Sequence, residues 1–278
     1  MSRIIRASTL IIRKILTRPE IYKEFYTMAN TRSAIKQMRQ SQKNRLRNRS
    51  RLSRMRTVIK QFKSKVEEGN LDEAKTMLSN VYSVIDKTAQ KRNNDLATRK
   101  EILLGTNEFP NFSEQMLDKI SFKSEQEKGE FLSLKRGAEE FEKLRLVTEK
   151  ADKNPKAWMF TFGNLAMRRA RSNFACNFFA CAGFEVVDNI GFENISEGIE
   201  AFRKSNSNIV VLCSSDEEYE QFALEVFEEL KNEAIVVLAG YPKTLIEQLN
   251  AKGFTNFIHV KSNVLETLKL FQKELGIS

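Results

Sequence analysis

Between Arg32 and Lys65 the chain places thirteen Lys and Arg side chains and not one Asp or Glu. Like charges packed this densely repel one another, and a polyanion relieves the repulsion while giving up its own condensed counterions. Nucleic-acid phosphate is the obvious such anion. The candidate RNA-binding residues are Arg32, Lys36, Arg39, Lys43, Arg45, Arg47, Arg49, Arg51, Arg54 and Arg56. Ser33, Gln37, Gln40, Ser41, Gln42, Asn44, Asn48 and Ser50 lie between them and add hydrogen bonding to phosphate and ribose. No aromatic residue occurs from Arg32 to Gln61. That argues against base stacking and for recognition of the backbone and shape of folded RNA. The competing explanation is a solvated basic coil or a localisation signal, and thirteen cations without an anion weigh against it.

The remaining side chains offer little for catalysis. A single histidine, His259, removes most metal-site and Ser/His/Asp proposals. Cys176, Cys181 and Cys213 are too few for a disulfide scaffold and point to a reducing compartment. Cys176 and Cys181 stand five apart on a predicted helix, share no face, and read as core thiols. Ser214, Ser215 and Asp216 have the chemistry to touch a polar ligand, although helix capping explains them better. No loop spells a glycine-rich phosphate cradle. Apolar runs stay well short of the ~18 residues a membrane helix needs, so no membrane contact is expected.

A long helix must carry the cations, because no Gly or Pro interrupts the stretch and its residues are good helix formers. Its second half holds Leu52, Met55, Ile59, Phe62 and Val66 at steps of three and four, an apolar stripe for a partner helix. Gly69 and Asn70 end it. Asn70 is placed to cap a second helix, with Glu73 completing a capping box. Leu71, Ala74, Leu78, Val81 and Ile85 give that helix the matching stripe, so the spacing predicts an antiparallel hairpin.

Charge divides the chain further. Residues 1–92 hold 23 basic and 7 acidic side chains, net +16, and residues 93–278 hold 23 and 29, net −6. Two modules with different partners follow. The stretch 93–155 is mixed, and its weak patterning at 121–140 predicts a solvent-facing connector. From Lys156 on, apolar strand-like runs at 157–162, 184–187, 209–213, 234–239 and 256–260 alternate with helical patterns near 165–181, 196–204, 217–231, 243–251 and 263–275. Such alternation predicts a five-unit parallel sheet covered on both faces, a flavodoxin-like doubly wound domain with ligand-binding loops at the carboxyl ends of its strands. Residues 1–27 are basic and free of acid before Glu20, with an apolar set from Ile4 to Leu16. They fit a transit peptide or surface-seeking helix, or an extension without function ahead of a natural start at Met28.

The Met28-Ala29-Asn30 start, the Ser33-Ala34-Ile35-Lys36 block, the Asn/Arg/Ser-rich centre and the Arg56-Thr57-Val58-Ile59-Lys60 segment resemble bacterial small-subunit ribosomal protein twenty. The resemblance covers about 65 residues. It implies a helical bundle that binds small-subunit ribosomal RNA, and a cytoplasmic, ribosome-associated location; organellar import through residues 1–27 is the alternative. Members of that family continue into a third basic helix. Here the chain turns instead to Asn93-Asn94-Asp95-Leu96-Ala97, so the bundle is expected to be incomplete.

From about Asn93 onward the chain resembles the C-terminal part of the methylmalonyl-CoA mutase small subunit. Carrying residues include Gly105-Thr106-Asn107-Glu108-Phe109-Pro110, Gly163-Asn164-Leu165-Ala166-Met167-Arg168, Cys176 to Gly183, and Val211-Leu212-Cys213-Ser214-Ser215-Asp216. This implies a cobalamin-domain-like fold after the tail of a substrate barrel. Cobalamin-binding members carry a D-x-H-x-x-G motif after the first strand, whose histidine is the axial ligand. Residues 163–168 hold no histidine, and His259 is expected in the last strand as a packing residue. The resemblance therefore implies a non-catalytic partner of a large subunit, to which adenosylcobalamin would belong; no cofactor is expected in this chain.

The expected architecture is α plus α/β. It consists of an extension (1–27), an RNA-binding helical hairpin (28–92), a connector and barrel remnant (93–155), and a cobalamin-domain-like sheet domain (156–278). Function is expected to lie in the small ribosomal subunit, with a non-catalytic isomerase subunit as the alternative. Joined gene fragments explain the combination more simply than a physiological fusion of ribosome and metabolism.

Overall fold

A computed structural model describes residues 32–116, 136–152 and 154–277. The expected extension, Met28 and most of the stretch 121–140 lie outside the described residues. Two compact units divide the chain, one ending at Ala89 and the other beginning at Gln90.

In the first unit the acid-free run is a single helix, α1 (Arg32–Glu67), followed by α2 (Leu71–Ala97). The turn between them follows from backbone bonding. Asn70 N–H donates to the Lys65 carbonyl at 3.0 Å and Gly69 N–H to the Val66 carbonyl at 3.1 Å, a Schellman closure. Such a closure needs a left-handed residue, and Gly69 supplies it at φ +77°. The capping box forms by half. Asn70 Oδ1 accepts from Glu73 N–H at 3.4 Å, but Asn70 N–H is already committed to Lys65, and the Glu73 carboxylate pairs with Lys65 Nζ at 3.1 Å.

The apolar stripes face inward only in part. Ala74 and Val81 are buried, and Met55, Ile59, Phe62, Leu78 and Ile85 are half-buried. Leu52, Val66 and Leu71 remain exposed, Leu71 at 57%. Two helices offer each other one line of contact, so the flanks of each stripe are left uncovered.

The second helix continues past its apolar stripe and past Asn93, where the second resemblance begins. α2 runs uninterrupted to Ala97. It ends by the same closure as α1, with Lys100 N–H to the Asp95 carbonyl at 2.8 Å and Arg99 N–H to Leu96 at 3.2 Å. Here the left-handed position is held by Arg99 at φ 55°, without glycine. Its guanidinium lies 5.5 Å from the Phe178 ring centre and 5.8 Å from that of Phe174, and donates to the Asn177 carbonyl. These contacts offset a backbone cost of order 1–2 kcal/mol.

The second unit is built on five parallel strands: β1 (Lys156–Thr161), β2 (Glu185–Val187), β3 (Ile209–Cys213), β4 (Ile235–Ala239) and β5 (Phe257–Ile258), in the order β2-β1-β3-β4-β5. The helices are α3 (Glu139–Glu149), α4 (Leu165–Ala180), α5 (Ile195–Ser205), α6 (Tyr219–Leu230), α7 (Ile246–Ala251) and α8 (Val264–Glu274). Alternation along β1 divides the core. Ala157 and Met159 join Phe178, Phe179, Leu268 and Phe271 on the face covered by α3, α4 and α8. Trp158 and Phe160 join Ile199, Phe222, Val226 and Leu249 on the face covered by α5, α6 and α7. Strands buried on both faces explain the near-continuous apolar runs of β3 and β4. The doubly wound expectation holds.

Phe141 and Leu144 of α3 belong to that core, and Gln272 of α8 donates to the Leu144 carbonyl at 2.7 Å. The sequence between Ile102 and Phe112 has no regular element. It is braced by Asn107, whose buried side chain bonds Leu96, Glu101 and Leu103. β5 is only two residues long, so His259 lies just beyond the strand rather than within it, with Nδ1 accepting from Lys261 N–H at 3.2 Å.

Candidate nucleic-acid interface and the carboxyl edge of the sheet

All ten candidate RNA-binding residues lie on α1. Nine are exposed, and Arg51 is half-buried. None of them makes an ion pair or side-chain hydrogen bond with any described residue. The contrast is Lys65, which is held by Glu73 and Glu68 and has its pKa raised, first by the hydrogen bond to Glu73 and then by that to Glu68. Uncompensated cations thus fill the acid-free stretch, and neutralisation begins where the acids begin.

Helix geometry sorts the ten. At about 100° per residue, Arg32, Lys36, Arg39, Lys43, Arg47, Arg51 and Arg54 fall within an arc of roughly 120°, and Arg45, Arg49 and Arg56 within a second arc of roughly 40° on the far side. Exposed Lys60 and Lys63, outside the ten, extend the second arc. In the C-terminal half of α1 the stripe Met55-Ile59-Phe62 runs between the two arcs. Residues 32–56 cover about 36 Å of helix, or one charge per ~4 Å. That spacing is well under the Debye length of roughly 10 Å at 0.1 M salt, so the charges act together on an approaching polyanion.

The carboxyl edge of the sheet is the other place where chemistry collects. β1 and β3 pair to their ends, Thr161 with Cys213, and the loops that follow them part, because the chain leaves β1 toward β2 on one side and returns to β3 on the other. The gap between them is occupied from within. Glu218, just ahead of α6, accepts from Asn164 N–H at 2.8 Å through Oε1, and from Ser215 N–H at 3.2 Å through Oε2. The Ser214 hydroxyl lies 2.5 Å from Oε2 and 2.8 Å from the Phe162 carbonyl, with one proton for the two. Ser215 Oγ accepts Glu218 N–H at 3.3 Å. Ser215 and Glu218 thus bond reciprocally across the turn that leads into α6, in the manner of a capping box, while Ser214 bonds Glu218 and the Phe162 carbonyl, and Glu218 carries an additional bond across to the β1 loop.

Burial opposes ionisation of Glu218, but the bonds from Ser214, Asn164 and Ser215 outweigh it and hold its carboxyl below the usual range. Gly163 makes the approach possible, since a Cβ there would stand 2.3 Å from the carboxyl carbon. Arg168 Nη1 donates to the Gly163 carbonyl at 3.2 Å, and Arg171 pairs with Asp216 at 2.9 Å. Beneath, the buried Tyr219 hydroxyl accepts Ser214 N–H and lies 2.9 Å from the Ala239 carbonyl and 3.1 Å from that of Leu212, with one proton to donate between β4 and β3.

The thiols are core groups. All three are buried, and burial pushes Cys176 up to about 11. Among the described residues no group of His, Cys, Asp and Glu is placed to hold a metal ion, and no helix is long and apolar enough to cross a membrane. His259 is half-buried against the Tyr241 ring at 5.0 Å, and burial lowers its pKa. Sequence reading missed the role of Glu218. Its signals were the Ser215-x-x-Glu218 spacing of a capping box, which is local, and a glycine followed by asparagine after β1, too common to point 54 residues ahead.

Comparison with known proteins finds two likenesses along the chain. The family described as Ribosomal protein S20 matches residues 29–95. The small ribosomal subunit protein bS20 of Dictyoglomus thermophilum is 46% identical over 80 residues, 28% of this chain and 86% of that protein. That of Aquifex aeolicus is 55% identical over 64 residues, 23% of this chain and 68% of that protein. The methylmalonyl-CoA mutase small subunit of Porphyromonas gingivalis is 46% identical over 224 residues, which is 78% of this chain but 36% of that protein. The chain thus spans about a third of that relative. The shares matched by the mutase subunit and the Dictyoglomus protein exceed the whole chain when added, so those two matches overlap.

Proposed function

The chain belongs to the ribosomal protein S20 family, and we propose that it binds small-subunit ribosomal RNA directly through α1, as a constituent of the small ribosomal subunit in the cytoplasm. One observation carries the reading: ten cations on one helix, none of them paired with a described residue. Backbone contacts of this kind make binding strongly salt-dependent. If most of the ten meet phosphate, log K against log salt should fall with a slope of about −6 to −9. The test is the full chain titrated with small-subunit ribosomal RNA fragments over a range of salt. A slope shallower than about −3 would reject phosphate contacts along the helix.

A second reading is supported by the mutase likeness. Residues 93–278 act as a non-catalytic isomerase-subunit piece that associates with a mutase large subunit, with no mutase activity of their own. Co-expression and co-purification with such a subunit tests it, and two separate elution peaks would reject it. In this reading cobalamin stays with the partner. The residues at the edge do not fit the cofactor: residues 163–168 contain no imidazole, His259 uses Nδ1 on its own turn, and Glu218 fills the gap between β1 and β3. A cobalamin titration followed by absorbance tests this, since tight binding to the chain alone would contradict it.

A further inference from the structure

We propose that the gap between β1 and β3 is a latent oxyanion site of phosphate type, kept shut by the chain's own Glu218 carboxylate. The inference is independent of the RNA-binding reading. Donors from two loops converge there on one pair of oxygens: Asn164 N–H at 2.8 Å, Ser215 N–H at 3.2 Å and the Ser214 hydroxyl at 2.5 Å. A capping box alone would engage Ser215 and leave Asn164 N–H to water. Here Glu218 goes further and satisfies a donor from the β1 loop, in the position where open α/β sheets admit ligands.

Two further observations mark the site as built for negative charge. Gly163 leaves room for carboxylate oxygens where any side chain would collide at 2.3–2.4 Å. Two arginines flank it: Arg168, bonded to the Gly163 carbonyl, and Arg171, bonded to Asp216. Each retains a buried Nε without a hydrogen-bond partner. Cationic neighbours, convergent N–H groups and a glycine approach are the ingredients of a phosphate cradle. Glu218 supplies the anion internally, so a free one is excluded while its side chain is in place.

The test removes the resident carboxylate and offers inorganic phosphate. The full-length chain, labelled with nitrogen-15, is titrated with phosphate at constant ionic strength, and the backbone amide signals of Asn164 and Ser215 are followed. These signals report the gap and are blind to phosphate on α1. The unsubstituted chain should show no saturable shift at either amide. Glu218→Ala and Glu218→Ser should each show one at both, and the serine hydroxyl keeps a capping oxygen for α6 should the alanine chain not fold. If both amides stay fixed in a folded variant, or move as far in the unsubstituted chain, the proposal is overturned. A response to acetate but not to phosphate would overturn the phosphate assignment.

Discussion

The charge array on α1 permits a quantitative test. Arg39, Lys43, Arg47 and Arg54 share the wider arc, are exposed, and pair with no described residue. Changing all four to Gln preserves helix propensity and removes four cations. If each meets one phosphate, each contributes a factor near (1/[salt])^0.9, about fivefold to sixfold at ~0.15 M monovalent salt. Together the four should cost close to three orders of magnitude in affinity, or about 4 kcal/mol, and reduce the salt slope by 3 to 4. The assay is fluorescence anisotropy of a labelled small-subunit ribosomal RNA fragment from about 50 to about 300 mM salt. A control chain with Lys243, Lys252, Lys261 and Lys273 changed to Gln loses the same net charge from exposed positions of the α/β unit. It should bind within about twofold of the parent at ~0.15 M salt. Equal losses in the two chains, or an unchanged slope in the α1 variant, would refute the assignment of phosphate contacts to the helix.

Other outcomes follow from the packing. Gly69→Ala should destabilise the hairpin by about 1 kcal/mol, read from its thermal melt, because the left-handed turn is strained for alanine while the surrounding space is open. Phe179→Ala removes a fully buried ring set against Phe178, Phe184 and Phe271, and should cost the α/β unit about 3–5 kcal/mol in a denaturant titration. Cys176, pushed up to about 11 and buried, is about one part in a thousand thiolate at pH 8. Alkylation of the folded chain should therefore be slow at Cys176, quicken as pH rises toward 11, and become rapid at pH 8 only in denaturant, as read by mass spectrometry.

The five strands and their helices were legible because their signals are local. Runs such as Ile209–Cys213 and Ile235–Ala239 are too short and too apolar to be surface helices, and glycines punctuate their flanks. α1 was legible for the opposite reason: nothing within it breaks a helix, and Gly69 does. The end of α2 was not, since the left-handed residue that closes it is Arg99, whose cost is offset by Phe174 and Phe178 some 75 residues on. Likewise α3 reads as charged and mixed. Its attachment depends on Phe141 and Leu144 meeting Phe271 and Gln272 from the far end of the chain. Of the two candidate sites, the basic helix α1 is written in consecutive residue types. At the sheet edge the Ser215-x-x-Glu218 spacing is legible as a capping box, but the reach of Glu218 to Gly163 and Asn164 is a tertiary coincidence that no spacing rule reveals.

If α1 binds RNA as proposed, its ten cations from Arg32 to Arg56, none paired with a described residue, give ionic strength two opposed effects on one helix. Added salt competes for phosphate and loosens the grip on RNA. The same salt screens Arg32 through Arg56 from one another and so firms the helix when RNA is absent. Tight binding and an independently stable binding element therefore belong to different ionic conditions. On that proposal, dilute salt leaves α1 of the free chain under electrostatic tension that RNA would relax, whereas in concentrated salt the helix stands alone and would gain little from binding.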